Sequence, residues 1–225
     1  MYASRTEAGQ RLVPLLAEMG LQRPIVFALP RGGVPVAIPV AAALGAPLEL
    51  VMVRKIGTPG AEELVMGAIA EGEETVVNED IYAAAASGRS YLEHEAARQR
   101  DEMARRARLY LSGHARADPA GRCAILVDDG LATGATMKAA LAAIRRRGAA
   151  ETVVAVPVAP PRALDEIARL ADRVVCPWPA EGFRGVGQFY REFHQLSDEE
   201  TIALLRAAWA RPDHDWNGGD EDARG

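Results

Sequence analysis

Two adjacent acids, Asp128 and Asp129, stand at the end of a short apolar run, Cys123 to Val127. The chain then passes through Gly130-Leu131-Ala132-Thr133-Gly134-Ala135-Thr136 into a helix-like stretch from Met137 to Arg147. A buried strand, two acids, a small-residue loop and a helix make an anion site. Small side chains let backbone N–H groups approach a phosphate, and the helix N-terminus adds the positive end of its dipole. A generic turn with acids capping a helix does not require both acids together with Thr133 and Thr136. A second candidate is Arg31-Gly32-Gly33, which follows the apolar run Pro24–Leu29. Its glycines permit close approach of the backbone to a ligand. A third is Arg54-Lys55, two cations at the end of the apolar run Leu48–Val53, followed by Ile56-Gly57-Thr58-Pro59-Gly60. Adjacent cations ahead of a Gly/Pro loop suit a polyanion.

The elements that must hold these residues can be read in order. Ser4-Arg5-Thr6-Glu7 has capping-box spacing, with Leu12, Leu15, Leu16 and Met19 at helical intervals and Gly20 as the stop. A strand over 24–29 leads to a helix over about 34–44, and a second strand covers 48–53. Leu64–Ala70 and Glu74–Val77 read as a hairpin whose turn carries Glu71, Glu73 and Glu74 as solvated charges. Residues 89–111 read as one long helix with Leu92, Ala96, Met103, Ala107, Tyr110 and Leu111 on its apolar side. Asp101–Arg105 and Glu102–Arg106 are its i,i+4 pairs. Further strands are expected at 151–158 and 173–176. A helix carrying Leu164, Ile167 and Leu170 follows Pro160-Pro161, and a final helix opens at Ser197. Apolar strands alternating with helices indicate an α/β fold with a parallel sheet flanked by helices on both faces. All three candidate loops then fall at the C-terminal edge of the strands, where such sheets bind ligands.

The stretch Ala124–Thr136 closely resembles the 5-phosphoribosyl-1-diphosphate (PRPP) motif of type I phosphoribosyltransferases, and the chain is similar to an uncharacterised subgroup that shares Pro-Arg-Gly-Gly-Val-Pro-Val-Ala and Val-Arg-Lys-Ile-Gly. That resemblance implies the type I fold, with a small C-terminal hood and a hairpin-and-helix excursion. It implies one domain over 1–210, with the excursion at about 60–115, the hood at about 177–210 and a flexible polar tail at 211–225. It also implies a reaction in which an unidentified nitrogen acceptor, a nucleobase among the candidates, displaces pyrophosphate from PRPP with Mg²⁺ present. Ala132, Thr133, Gly134, Ala135 and Thr136 would cradle the 5-phosphate, and Asp128 and Asp129 the ribose hydroxyls. Arg31, Gly32, Gly33, Arg54 and Lys55 would grip the pyrophosphate. Arg31, Lys55, Asp128 and Asp129 are the candidate catalytic residues. Mg²⁺ would be held mainly by PRPP and water, with Asp128 and Asp129 as candidate protein ligands. The Pro30–Arg31 bond is the candidate for a cis peptide. Trp178 and Phe183, in an aromatic, glycine-rich stretch after the last core strand, are the acceptor candidates. Ala132 stands where some 6-oxopurine enzymes carry an acid, so their general base is not available here. The alternative is a regulator that binds PRPP or a nucleotide without turnover.

Bulk properties restrict the remaining classes. The 225 residues carry a formal charge of −5, which does not suit a nucleic-acid partner. The arginines between Arg89 and Arg108 are interleaved with acids and read as a solvated face. Cys123 and Cys176 read as buried free thiols, and His94, His114, His194 and His214 as surface residues without metal-ligand spacing. No Gly-x-Gly-x-x-Gly follows the first strand, which argues against a dinucleotide fold. With no signal-peptide core at the N-terminus and no membrane-length apolar run, a cytoplasmic enzyme is expected, and a homodimer.

Overall fold

A computed structural model describes residues 1–59, 61–70, 75–77, 82–83 and 88–210. The expected acidic turn at 71–74 and the polar tail at 211–225 lie outside these residues.

The main sheet has five parallel strands in the order β2 (Leu48–Leu50), β1 (Ile25–Ala28), β6 (Cys123–Val127), β7 (Glu151–Ala155) and β9 (Arg173–Val175). Side chains alternate across it, as a pleated strand requires. Val26, Ala28, Ile125 and Val127 face one core with helices α1 (Arg5–Ala17) and α2 (Gly33–Leu44). Ile25, Phe27, Ala124 and Leu126 face the other with α4 (Ala135–Arg146) and α5 (Pro161–Ala168). Both faces are covered, which is why the strands read as unbroken apolar runs. Helix α6 (Asp198–Trp209) closes the first core through Leu205, and Ser197 and Glu200 form its reciprocal capping box.

Between β2 and β6 the chain leaves the main sheet. Strands β3 (Val53–Thr58), β4 (Ala61–Ala70) and β5 (Thr75–Val77) form a separate antiparallel sheet in that order. The long helix α3 (Gly88–Tyr110) packs on it, with Ile56, Met66 and Ile69 against Leu92, Ala96 and Met103. Arg54 and Lys55 therefore lie inside a strand rather than in a loop at a strand end. The expected 48–53 strand divides between two sheets: Val51 still donates to the Ala28 carbonyl of the main sheet, whereas Val53 already pairs with Ala70 in the second.

The expected 151–158 strand also breaks. Pro157 has no N–H to donate, and the chain resumes as β8 (Val158–Ala159), paired with β10 (Trp178–Pro179). Along α3, Arg105 pairs with Glu102 at 2.8 Å rather than with Asp101, while Glu102–Arg106 forms as expected at 2.8 Å. In α1, Ser4 caps the N–H of Glu7, but Glu7 reaches Ala3 N–H, one residue beyond the reciprocal capping-box partner. Leu15 is exposed, outside the apolar face assigned to it.

Helix α1 lies unusually close to α2. A Cβ at Gly9 would overlap the Val36 carbonyl oxygen and stand 2.7 Å from Pro39 Cγ. Cys123 is buried and Cys176 half-buried, both free. His114 is not a surface residue: it stacks on Trp209 at 3.8 Å and contacts the buried Glu49 carboxylate at 3.1 Å. Among the described residues no helix is long and apolar enough to cross a membrane.

Candidate active site

β1 and β6 are parallel neighbours in register, Ala28 opposite Val127, so the loops after them leave the same edge side by side. The loop after β1 contains a cis peptide between Pro30 and Arg31 and turns directly into α2. It lies hard against the acid pair. A Cβ at Gly32 would overlap Asp129 Oδ2, and one at Gly33 would stand 2.5 Å from the Val127 carbonyl and 3.1 Å from Asp128 Cα. Neither glycine has a left-handed φ, so the close approach is the reason for both.

Asp128 Oδ1 accepts the Asp129 N–H at 2.8 Å. Burial, then the neighbouring Asp129 charge, pushes the Asp128 carboxyl well above the ordinary range. Burial also raises Asp129, opposed by Arg5, whose Nε lies 2.8 Å from Asp129 Oδ2. The Arg5 guanidinium also donates to the His194 carbonyl at 3.0 Å and lies 3.9 Å over the Phe193 ring. From the hood, the Tyr190 hydroxyl donates to the Asp129 carbonyl at 2.6 Å, and burial raises its pKa so that it stays a donor. Asp129 is thus held from α1 on one side and from the segment after the 3₁₀ turn Val186–Phe189 on the other.

The three candidate cations separate. Strand alternation sends Arg54 and Lys55 to opposite faces of β3. Lys55 is exposed and its charge lowers the pKa of both Asp128 and Asp129. Arg54 turns towards α3, donates from Nε to Gln99 at 3.0 Å, and has its pKa lowered by burial and then by Arg106. Arg31 donates to Asp198 Oδ1 at 3.4 Å, at the start of α6.

In the loop after the acids, Ala132 and Thr133 are exposed while Gly134, Ala135 and Thr136 enter α4. Gly134, at φ 74°, is its N-cap, a left-handed position suited to glycine, and it starts the helix two residues earlier than the apolar spacing predicts. Leu131 anchors the loop through its N–H to the Val158 carbonyl, and Gly130 fits beneath Val186 of the hood. Lys138, in the first turn of α4, is committed to Glu166 at 2.6 Å. Trp178 and Phe183 are half-buried around Phe189, with Phe183 stacked on it at 5.4 Å and Trp178 edge-on at 5.1 Å. The structure thus joins the acceptor candidates in one aromatic cluster behind Val186.

Among the described residues no group of three or more His, Cys, Asp or Glu side chains could hold a metal by itself. The two adjacent acids are the hard oxygen donors the site offers.

Arg5, Tyr190 and Asp198 escape sequence reasoning as site residues. Arg5 sits inside the Ser4–Glu7 cap, where a basic residue ordinarily faces solvent, and only the fold brings it across 124 residues to Asp129. Asp198 is likewise disguised as a residue of a capped helix start.

The parallel α/β sheet brings two loops together on an acid pair beside a helix N-terminus, at the strand edge where such sheets bind ligands. The model of the phosphoribosyl transferase domain matches residues 12–190. A protein provisionally named a phosphoribosyl transferase in Mycobacterium tuberculosis, matched in strains CDC 1551 and H37Rv, is 41% identical over 208 residues. That match covers 92% of this chain and 47% of the relative, so the chain spans about half the length of the curated relatives it matches. The solved structure of TT1426 from Thermus thermophilus is 44% identical, with a TM-score of 0.77 over 91% of this chain and 97% of that one. The chain belongs to the phosphoribosyl transferase family.

Proposed function

We propose that the protein transfers the 5-phosphoribosyl group from PRPP to a nitrogen acceptor and releases pyrophosphate. The observation that carries this reading is the contact of Gly32 and Gly33 with the Asp128–Asp129 pair, which leaves no room for side chains between the two loops. Such an arrangement suits a ligand that lies across both loops and presents phosphates at each end.

The 5-phosphate would sit on the N–H groups and hydroxyls of 132–136 at the start of α4. Asp128 and Asp129 would accept the ribose 2- and 3-hydroxyls. Arg31, the 32–33 backbone and Lys55 would hold the pyrophosphate, with Arg54 supporting from the far face of β3. The acceptor nitrogen forms a bond to C1 as the C1–oxygen bond to pyrophosphate breaks, with inversion. The bonding pair leaves on pyrophosphate. Positive charge develops on the ring, so the chain contributes leaving-group stabilisation and water exclusion rather than a covalent nucleophile. The acid pair fits Mg²⁺, whose proximity would offset the cost of two buried carboxylates. Bound mainly through PRPP and water, it would neutralise charge on the leaving group. The hood cluster of Trp178, Phe183 and Phe189 would form the acceptor side.

The test is thermal stabilisation by PRPP with Mg²⁺, followed by a screen of pyrophosphate release over nucleobases and other nitrogen acceptors. Stabilisation lost in the Asp128→Asn, Asp129→Asn double variant supports the ribose assignment. Stabilisation unchanged in that variant refutes it. Stabilisation without release for any acceptor would favour a PRPP-responsive regulator.

A further inference from the structure

Arg5 is a buried cation that belongs to none of the three candidate loops. It lies on the first turn of α1, and three contacts enclose its guanidinium: Asp129 Oδ2, the His194 carbonyl and the Phe193 ring. Phe193 in turn stacks on Tyr190 at 5.2 Å and is seated against Gly187, where a Cβ would stand 2.7 Å from Phe193 Cδ1. The side chain is only 10% exposed, and that of Asp129 14%. This geometry is over-determined for a structural ion pair, which gains little when both charges must be desolvated. It is what a site needs when one carboxylate must keep a fixed orientation and charge beside a second acid.

We infer that Arg5 is a positioning residue for the donor site, fixing Asp129 as an acceptor for the ribose hydroxyls. The inference rests on the PRPP reading above. The two acids are otherwise equivalent by sequence, adjacent at the end of one strand. The other groups facing Asp129 are Asp128 beside it, Lys55 from β3 and the Tyr190 hydroxyl from the hood. Tyr190 binds the Asp129 main chain, and Lys55 is shared between the acids. Arg5 alone among the described groups forms an ion pair with the Asp129 carboxylate. It therefore breaks the symmetry of the pair. Asp129 is the acid whose carboxylate is held in a fixed orientation by a side-chain cation. Through His194 and Phe193 the same guanidinium also ties the hood to the ribose site.

Calorimetric binding of Mg²⁺–PRPP to the full chain at one pH tests this. Arg5→Gln should weaken binding about tenfold, and Arg5→Lys, which keeps the charge but not the guanidinium fork, should recover part of it. Phe193→Ala removes the ring beneath the guanidinium and leaves the ion pair, so it should lower the thermal melt with little change in affinity. Arg5→Gln binding as tightly as wild type, or Phe193→Ala losing as much affinity as Arg5→Gln, would overturn the role and leave Arg5 a packing residue. Wild-type protein that binds no PRPP would instead overturn the donor reading and with it the Arg5 role that rests on it. If Arg5→Gln does not fold, Arg5→Lys with wild-type affinity refutes dependence on the fork geometry of the guanidinium.

Discussion

Tyr110 and Asp198 meet across 88 residues of sequence, the tyrosine hydroxyl donating to Asp198 Oδ1 at the point where α3 and α6 touch. Arg31 reaches the same oxygen, and Arg105 lies 3.8 Å from the other. The loop assigned to pyrophosphate is therefore braced by the excursion helix and the last helix together. Burial and the Asp198 hydrogen bond raise the Tyr110 pKa, and that hydrogen bond lowers the pKa of Asp198.

Tyr110→Phe should lower stability by about 1 kcal/mol, the net worth of one hydrogen bond. The pH dependence has a definite sign. A carboxyl whose folded pKa is depressed contributes stability above its unfolded value, near 3.9, and loses it as pH falls through the folded value. Urea denaturation should find the deficit of Tyr110→Phe at pH 7 shrinking below about pH 4.

Asp128→Asn should separate stability from function. The raised pKa means that the folded chain binds this proton more tightly than the unfolded chain does. Its ionised form is a cost at neutral pH, and stability from this group rises as pH falls towards the unfolded value near 3.9. The asparagine variant should be more stable than wild type at pH 7, by about 0.5–2 kcal/mol, and this advantage should shrink by pH 5. Melts with and without PRPP should show the gain accompanied by loss of the ligand-induced shift.

Lys55→Ala and Arg54→Gln should behave differently although the residues are neighbours. Removing Lys55 takes a cation from the acid-pair side of β3, and PRPP affinity should fall about tenfold, as for about 1.4 kcal/mol of lost interaction. Removing the Arg54 guanidinium affects its contact with buried Gln99, so its main effect should be stability, by about 1–3 kcal/mol. Binding calorimetry and denaturation on both variants check the split. Equal losses of affinity would place both cations on the ligand.

Gly32→Ala should abolish PRPP binding in a chain that retains its fold. The added methyl has no space beside Asp129 Oδ2, and the two loops must part to admit it. A forced methylene in a packed place costs typically about 1–3 kcal/mol. A thermal melt lowered by that amount, with no PRPP shift, is the expected result.

The acid pair and the loops beside it were legible because their parts are local. Asp128, Asp129 and the loop to Thr136 are contiguous, and Arg31-Gly32-Gly33 announces itself by glycines in a chain otherwise rich in side chains at strand ends. The opposite facing of Arg54 and Lys55 was hidden because it depends on β3 being a strand, and β3 forms only by pairing with β4. The break at Pro157 was written in the sequence, in a residue that cannot donate. Arg5 was not legible at all, because a helix cap carries no information about what its neighbours meet after 124 residues of chain. His114 differs from its sequence reading for a related reason: its stacking partner, Trp209, and the acid it touches, Glu49, come from distant parts of the chain.

Gly9 has a role beyond spacing two helices. Because no methyl group stands between α1 and the Val36 carbonyl, α1 can sink far enough for Arg5, one turn earlier, to reach Asp129. The N-terminal helix thus works as a gauge, with its depth set at Gly9 and read out at the Asp129 carboxylate. A single methyl added there would withdraw the Arg5 guanidinium from the acid while leaving every donor-site residue in its place in the sequence. The acid pair would then be tuned from a position that never touches it.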